Sequence, residues 1–477
     1  MKEYQVIVIG GGAGGLTVAA GAASLGATVA VVEKSKNPGG DCLHSGCVPS
    51  KALIEAARSV YDIGRAAVEF GLEMDGKPSF QAAMERVKAS IAKIQTHDSI
   101  ERFAALGVDF YEGSACFADE HIIEIHGKEQ HHIRGRRIII ATGSRPFIPQ
   151  IPGLDSIHYI TNETVFSLER LPERIVTVGA GPTGLEVSQA LARLGARVTV
   201  LEIGKNLLPG EDRGVVQCVK GRLEKELSIR LGCNIIHVKG ENGETVLTVE
   251  QNGVTDEIRA EALFLAAGRL PNTDGLCLEK AGVKTENGYV KVDRCMRTSN
   301  KHIYAVGDVT GKYMFTHAAG MEGKIAVSNA VFGLSRKVRY DSLPWVTYTD
   351  PEIYHLGLTE KEARLKYGSS IEVYKAAAGD VDRFITAREK EGLLKVITDK
   401  KGNILGAHAA GKDASTWMQQ LVYAKHHNRK IGTISSVIHP YPTRGAIIQQ
   451  AADQYWRQKL FNGPLNRILK NYVKWML

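Results

Sequence analysis

The sequence predicts an α/β protein with two Rossmann-like dinucleotide-binding domains and a further α+β domain on the C-terminal side. Three observations predict it. First, a strand, a G-x-G-x-x-G turn, a helix-like run, a second strand and an acidic residue occur twice. The first copy carries Gly10, Gly12, Gly15 and Glu33, and the second Gly179, Gly181, Gly184 and Glu202. In both, the acid stands 18 positions after the third glycine. Second, three strands end in small-residue turns, at 138–146 (IIIATGSRP), 263–272 (LFLAAGRLPN) and 303–309 (IYAVGDV). Third, the texture changes after Leu343 to aromatic-rich strands mixed with helix-like runs, a pattern of α+β domains.

Each glycine motif follows a strand and opens a helix. That context turns a weak pattern into a dinucleotide-binding expectation. The glycines permit a tight turn and close approach of a pyrophosphate, whose charge the helix N-terminus stabilises. The acid accepts hydrogen bonds from a ribose diol. Two glycine turns without a ligand are the alternative. Two sites in one chain suggest electrons passing between two cofactors.

The 477 residues are too many for one ordinary core, and the 44% hydrophobic and 23% charged content is globular. A net charge of +8 over this length is a mild basic excess. No nucleic-acid signature accompanies it, so no nucleic-acid partner is expected. The strand at 4–9 runs directly into the first glycine motif, so no leader is expected, and no apolar stretch reaches membrane-spanning length. Seven scattered cysteines (42, 47, 116, 218, 233, 277 and 295) do not form a secreted disulfide framework. A reducing, cytoplasmic setting is expected, in which a close pair is catalytic or metal-binding.

The close pair is Cys42 and Cys47, in G-G-D-C-L-H-S-G-C-V-P-S-K from Gly39 to Lys51. On one helical start this spacing can put both sulfurs on one face. A metal site and two ordinary buried cysteines are the alternatives. No further cysteine lies nearby in sequence, so no metal ligand is assigned.

The G-G-x-C-x4-C-x-P-S-K signature, both glycine motifs, ATGSRP, AAGRLPN, YAVGD and the C-terminal part together resemble the pyridine nucleotide–disulfide oxidoreductases. Their members include lipoamide dehydrogenase, glutathione reductase and mercuric reductase. The resemblance implies an enzyme with FAD and a nicotinamide nucleotide, and a homodimer with shared active sites. Residues 1–148 and 271–343 would form the FAD-binding domain, 149–270 the NAD-binding domain and 344–461 the dimerisation domain. It implies that Gly10, Gly12, Gly15 and Glu33 hold the adenosine half of FAD. Thr142 and Gly143 would flank it, Ala115 would be a further contact, Asp308 would bond the ribityl chain, and Thr316 and His317 would lie near the isoalloxazine. Lys51 would sit near the flavin N5 with Glu186 as its ion-pair partner. Gly179, Gly181, Gly184 and Glu202 would hold the nicotinamide nucleotide, with Gly268 and Arg269 nearby. For Lys51, Glu186 and Asp308, a solvated charge or a helix cap is the other reading. A carboxylate at 202 suits the free 2′-hydroxyl of NADH and repels the 2′-phosphate of NADPH.

The resemblance also implies a mechanism. Electrons pass between NADH, flavin and the Cys42–Cys47 disulfide, with Cys47 as the charge-transfer thiolate and Cys42 as the exchanging sulfur. Lipoamide dehydrogenase and glutathione reductase carry H-P-x-x-x-E for proton transfer. Here His439-Pro440-Tyr441-Pro442-Thr443-Arg444-Gly445-Ala446 places Tyr441 at the histidine position and Ala446 at the glutamate position. His439 and Tyr441 remain the candidates for this role. A tyrosine there is similar to mercuric reductase, but Lys474-Trp475-Met476-Leu477 holds no cysteine pair. The expected substrate is therefore a thiol/disulfide or a metal ion. The alternatives are a dihydrolipoamide dehydrogenase with an atypical acid/base, a flavin NADH oxidase or quinone reductase, and a membrane-recruited redox sensor. Residues 462–477 read as a basic amphipathic helix that packs on its own protein or lies on an anionic membrane surface.

Overall fold

The computed structural model describes residues 1–73, 76–461 and 465–477. Two compact units result. One comprises Met1–Gly179, Ala190–Leu201 and Asn234–Val338; the other comprises Ala180–Gln189, Glu202–Cys233 and Arg339–Leu477.

In the first unit the strands Val108–Glu112, Val29–Glu33, Lys2–Ile9 and Gln130–Ile140 run parallel in that spatial order, and Ile303–Ala305 pairs with the last of them. The central strands are near-continuous apolar runs, as parallel strands covered on both faces must be. Ile7, Val8, Val31, Ile138 and Ile140 are fully buried. The helix Ala13–Ser24 follows the first glycine motif and packs on the helix Thr316–Phe332. Their backbones meet closely: a Cβ at Gly323 would stand 2.9 Å from the Gly14 carbonyl oxygen. The second nucleotide-binding pattern forms a smaller parallel set, in which Arg174–Val178 pairs with both Arg197–Leu201 and Ala262–Leu265.

One expectation is corrected here. Cys116 and Cys277, read as isolated cysteines, form a disulfide with Cα atoms 5.5 Å apart. They are separated by 161 residues, and only the folded sheet and its following segments bring them together.

The second unit contains an antiparallel sheet ordered Pro344–Thr347, Glu352–Gly357, Ile404–Gly411, Leu393–Asp399 and Ile371–Ala377. The helix Ala446–Phe461 buries Ile447, Ile448, Ala451, Ala452 and Tyr455 in the same core as Leu356, Val396 and Phe384. The helix Leu465–Met476 follows; residues 462–464 of the expected tail lie outside the described residues. Among the described residues, no helix is long and apolar enough to cross a membrane.

Candidate active site

Parallel strands place their following turns at one edge of the sheet. In the first unit that edge gathers the Gly10–Gly15 turn, Glu33, the 141–143 turn and Asp308. Gly10 has φ +105°, and a Cβ there would stand 2.4 Å from the Ala141 carbonyl oxygen. A Cβ at Gly15 would come within contact-forbidding range of the Gly10 carbonyl. These glycines keep the turn closed, while Gly12 caps the helix, where a Cβ would stand 3.9 Å from Gly40 Cα. The Glu33 carboxylate accepts the Gly11 N–H at 2.6 Å and the Ser35 N–H at 2.8 Å. Gly113 N–H donates to the Glu33 carbonyl, so the strand Ser114–Phe117, with buried Ala115, begins beside this acid.

The 141–143 turn is clamped by Asn272, whose side chain donates to the Thr142 carbonyl at 2.9 Å while its own carbonyl accepts from the Thr142 hydroxyl at 2.7 Å. Gly143 adopts φ +71°. Asp308 opens a short 3-10 turn and accepts from the Ser144 hydroxyl at 2.6 Å. Burial pushes its carboxyl pKa up, against the opposing pull of Ser144 and Arg269. Arg269 follows Gly268, which has φ +134°. Its guanidinium lies 3.2 Å from Asp41 and 3.7 Å from Asp308, and it donates to Ser144. The structure therefore places Arg269 among Asp41 of the cysteine segment, Ser144 and Asp308. Ser144, Asn272 and Asp41 were not singled out from the sequence, because separations above 100 residues hide their partners.

The cysteine segment packs directly on the glycine turn. Gly39 N–H donates to the Gly11 carbonyl at 2.8 Å, and a Cβ on Gly40 would meet Gly12 Cα at 2.8 Å. The expectation of one continuous helical start is corrected. Cys42 lies in the short helix Gly40–His44, and Cys47 begins a separate helix, Cys47–Phe70. Pro49 explains the break: in a first turn its missing N–H costs nothing, but a helix running through from Cys42 would need that N–H. Gly46 occupies the joint, where a Cβ would stand 2.8 Å from the Asp41 carbonyl oxygen. Asn162 and Ser45 both donate to Asp41, fixing the loop.

The two thiols hydrogen-bond each other, and Cys47 Sγ lies 3.2 Å from the Thr316 hydroxyl. The hydrogen bond to Cys47 and burial raise the Cys42 pKa. Cys47 stands at a helix N-terminus, which favours a thiolate there. Lys51 lies one turn along the same helix and His317 beside Thr316 at the start of its own helix, with its ring near-parallel to Phe315. The residues fit FAD chemically: a tight glycine turn, the Glu33 carboxylate bonded beside it, the half-buried Asp308 carboxylate and a thiol pair share one sheet edge.

The second acid repeats the first. Glu202 accepts the Ala180 N–H and the Gly204 N–H, both at 2.8 Å, in the pattern that Glu33 makes with Gly11 and Ser35. Gly179 has φ +108°, as Gly10 has +105°. Gly181 and Gly184 carry this motif into the helix Pro182–Arg193, where Glu186 is buried and accepts the Tyr348 N–H at 2.7 Å.

Of the expected proton-transfer candidates, Tyr441 is 79% exposed and donates to Asp382 at 2.8 Å. That hydrogen bond raises its pKa further from neutrality. His439 Nε2 contacts the Gln420 side-chain amide. Arg444 pairs with Glu389, and Ala446 opens a helix.

Replacing Gly15 with valine tests the cradle. The motif turn must open to admit the side chain, so FAD affinity is expected to fall by at least about tenfold, roughly 1.4 kcal/mol. Flavin absorbance retained at the wild-type stoichiometry would contradict the cradle assignment.

Comparison with known proteins gives concordant matches. The family model "Pyridine nucleotide-disulphide oxidoreductase" matches residues 4–323, and its dimerisation domain matches residues 343–452. A dihydrolipoyl dehydrogenase of Bacillus subtilis is 32% identical, covering 94% of this chain and 97% of that protein. A mercuric reductase of Lysinibacillus sphaericus is 30% identical, covering 94% and 82%. The solved structure of a Cu(II) complex of the HOCl-induced flavoprotein disulfide reductase RclA from Escherichia coli superposes with a TM-score of 0.85. It is 25% identical and covers 95% of this chain and all of that one.

Proposed function

The chain belongs to the pyridine nucleotide-disulphide oxidoreductase family, and from that premise we propose that it reduces a disulfide or metal-ion substrate at the Cys42–Cys47 pair with electrons from NADH. The family is FAD-dependent, uses NAD(H) or NADP(H), and assembles as a homodimer through its dimerisation domain. FAD, when bound, supplies two-electron transfer between nicotinamide and sulfur. Gly10, Gly12, Gly15, Glu33, Ala115, Thr142, Gly143 and Asp308 would hold it, with Lys51, Thr316 and His317 towards the reactive end.

The chain's own residues set the sulfur chemistry. The helix N-terminus at Cys47 stabilises a thiolate, and Thr316 offers it a hydrogen bond. Cys42, whose pKa the hydrogen bond to Cys47 and burial raise, would be the sulfur that exchanges with substrate. The observation that carries the reductase reading is Tyr441. A phenol raised above its ordinary pKa and bonded to Asp382 does not take a proton from a dithiol substrate at neutral pH. Dihydrolipoamide oxidation needs such a base. Reduction of a metal ion, or of a disulfide with a low-pKa leaving thiol, does not. The relatives named as mercuric reductase and Cu(II)-bound disulfide reductase support the same reading. The test compares kcat/KM for dihydrolipoamide oxidation with that for NADH-driven reduction of Hg(II), Cu(II) and an aromatic disulfide. Dihydrolipoamide turnover equal to the best reductive rate would overturn it.

Glu202 supports NADH as the coenzyme, since its carboxylate matches a free ribose diol. Glu202→Ala is expected to lower kcat/KM for NADH by about 10- to 100-fold, the effect of a lost charge-assisted hydrogen bond. Wild-type efficiency with NADPH equal to that with NADH would refute the preference.

Association with an anionic membrane surface is favoured by the helix Leu465–Met476. Ile468, Tyr472, Val473, Trp475 and Met476 are each more than half exposed, and Arg467, Lys470 and Lys474 accompany them. Truncation after Phe461 is expected to abolish co-sedimentation with phosphatidylserine vesicles. Full-length protein that stays in the supernatant would end this reading.

A further inference from the structure

The antiparallel strands Glu352–Gly357 and Ile404–Gly411 set His355 directly opposite His408. Directly opposed residues present their side chains on the same face. The two rings are 3% and 0% exposed, with centroids 4.5 Å apart. Glu211 reaches the same place, with one carboxylate oxygen 2.9 Å from His355 Nδ1. Its other oxygen accepts the Trp345 indole N–H at 2.7 Å, and that indole stacks on His355 at 3.6 Å. One donor atom from each of Glu211, His355 and His408 lies within 4.8 Å of the others.

The hydrogen bonds fix the protons. His355 Nε2 lies 2.8 Å from the Gly357 carbonyl oxygen, and His408 Nε2 lies 2.9 Å from that of Leu358. A carbonyl only accepts, so both Nε2 atoms carry hydrogen. His408 Nδ1 is left with a lone pair, is fully buried and has no hydrogen-bond partner among the described residues. His355 Nδ1 faces a carboxylate, which also only accepts. A positive species must stand between them, either a proton or a metal ion.

We propose that Glu211, His355 and His408 form a binding site for one divalent transition-metal ion of the zinc or copper class. Two imidazoles and a carboxylate are the donor set these ions prefer, and three protein ligands leave a position for water. Both histidines donate their other N–H to a backbone carbonyl, the arrangement that orients metal-binding imidazoles. Binding exchanges one proton for the ion: the Nδ1 proton of His355 leaves to solvent as the metal bond forms. Ligand atoms around a tetrahedral ion stand about 3.4 Å apart, so Glu211 and His355, 2.9 Å apart, must separate slightly as the three donor atoms, within 4.8 Å of one another, settle to that spacing.

The test uses the full-length, FAD-loaded protein with Cys42 and Cys47 oxidised, which keeps their sulfurs from competing. After chelation and dialysis it is titrated with Zn2+. The expected result is one Zn2+ per chain and a raised Tm. X-ray absorption should show nitrogen and oxygen ligands, including two imidazoles, and no sulfur. Affinity is expected to fall at least about tenfold in His408→Asn and in Glu211→Gln. No bound Zn2+, sulfur coordination, or unchanged affinity in both variants would overturn the site and leave an ordinary His355–Glu211 ion pair. If either variant fails to fold, the ligand set seen in the wild-type absorption spectrum decides alone.

Discussion

Cys47→Ser is expected to lower NADH-driven reduction of disulfide or metal-ion substrates by at least about 1,000-fold, the loss that follows removal of a reacting group. Serine keeps the helix N-terminus and the Thr316 contact but cannot form a disulfide with Cys42. Bleaching of the flavin by NADH should persist, because both nucleotide motifs are untouched. The long-wavelength absorbance of a thiolate against oxidised flavin should disappear. Cys42→Ser should abolish substrate turnover to the same extent while leaving that absorbance, since Cys47 keeps its helix N-terminus and its Thr316 contact. Turnover within tenfold of wild type in both variants would instead assign electron delivery directly to oxygen or a quinone. The cysteine pair would then have no part in it.

The second large effect is expected at Lys395, which lies in a central strand at 4% exposure. Its ammonium stands 2.6 Å from Asp212 and 2.9 Å from Glu360. Asp212 caps the helix Arg213–Glu226 by accepting the Gly214 N–H. Burial alone would raise the Asp212 pKa, but the Lys395 bond outweighs it and holds the carboxyl below its ordinary value. Lys395→Met removes the cation and strands a buried carboxylate. Loss of one partner from a buried pair costs about 3–5 kcal/mol. The measurement is urea unfolding followed by tryptophan fluorescence, for which buried Trp417 in the same unit is a reporter. Adding Asp212→Asn should recover part of the loss, because asparagine still caps the helix without a charge. A loss below about 1 kcal/mol for Lys395→Met would show that the pair is solvated like a surface bridge.

How much of this was legible before folding differs from residue to residue. Gly10, Gly15 and Glu33 sit within one strand–turn–helix–strand segment, and each constraint on them comes from neighbours in that segment or the adjoining strand. The same is true of Gly179 and Glu202, so the second motif could be read by analogy with the first. Pro49 carried the signal for a helix starting at Cys47, although the spacing of the cysteines suggested one helix through both. The partner of Cys116 had no local signal. Neither did the approach of Arg269 to Asp41 and Asp308, nor the clamp of Asn272 on Thr142.

The sequence by itself determined the family chemistry: two dinucleotide motifs, each with its acid, and a cysteine pair placed after the first. These are local patterns, because a tight glycine turn, a helix N-terminus and a five-residue cysteine spacing are set by short-range backbone geometry. Only the tertiary structure decided the rest. Sheet register set His355 opposite His408, and chain return brought Glu211 beside them across 144 residues. Closure of the first unit joined Cys116 to Cys277. The environment of Tyr441 was decided in the same way, by Asp382 arriving from a distant helix. Long-range pairing depends on which faces bury together, and that is a property of the whole packed chain rather than of any segment within it.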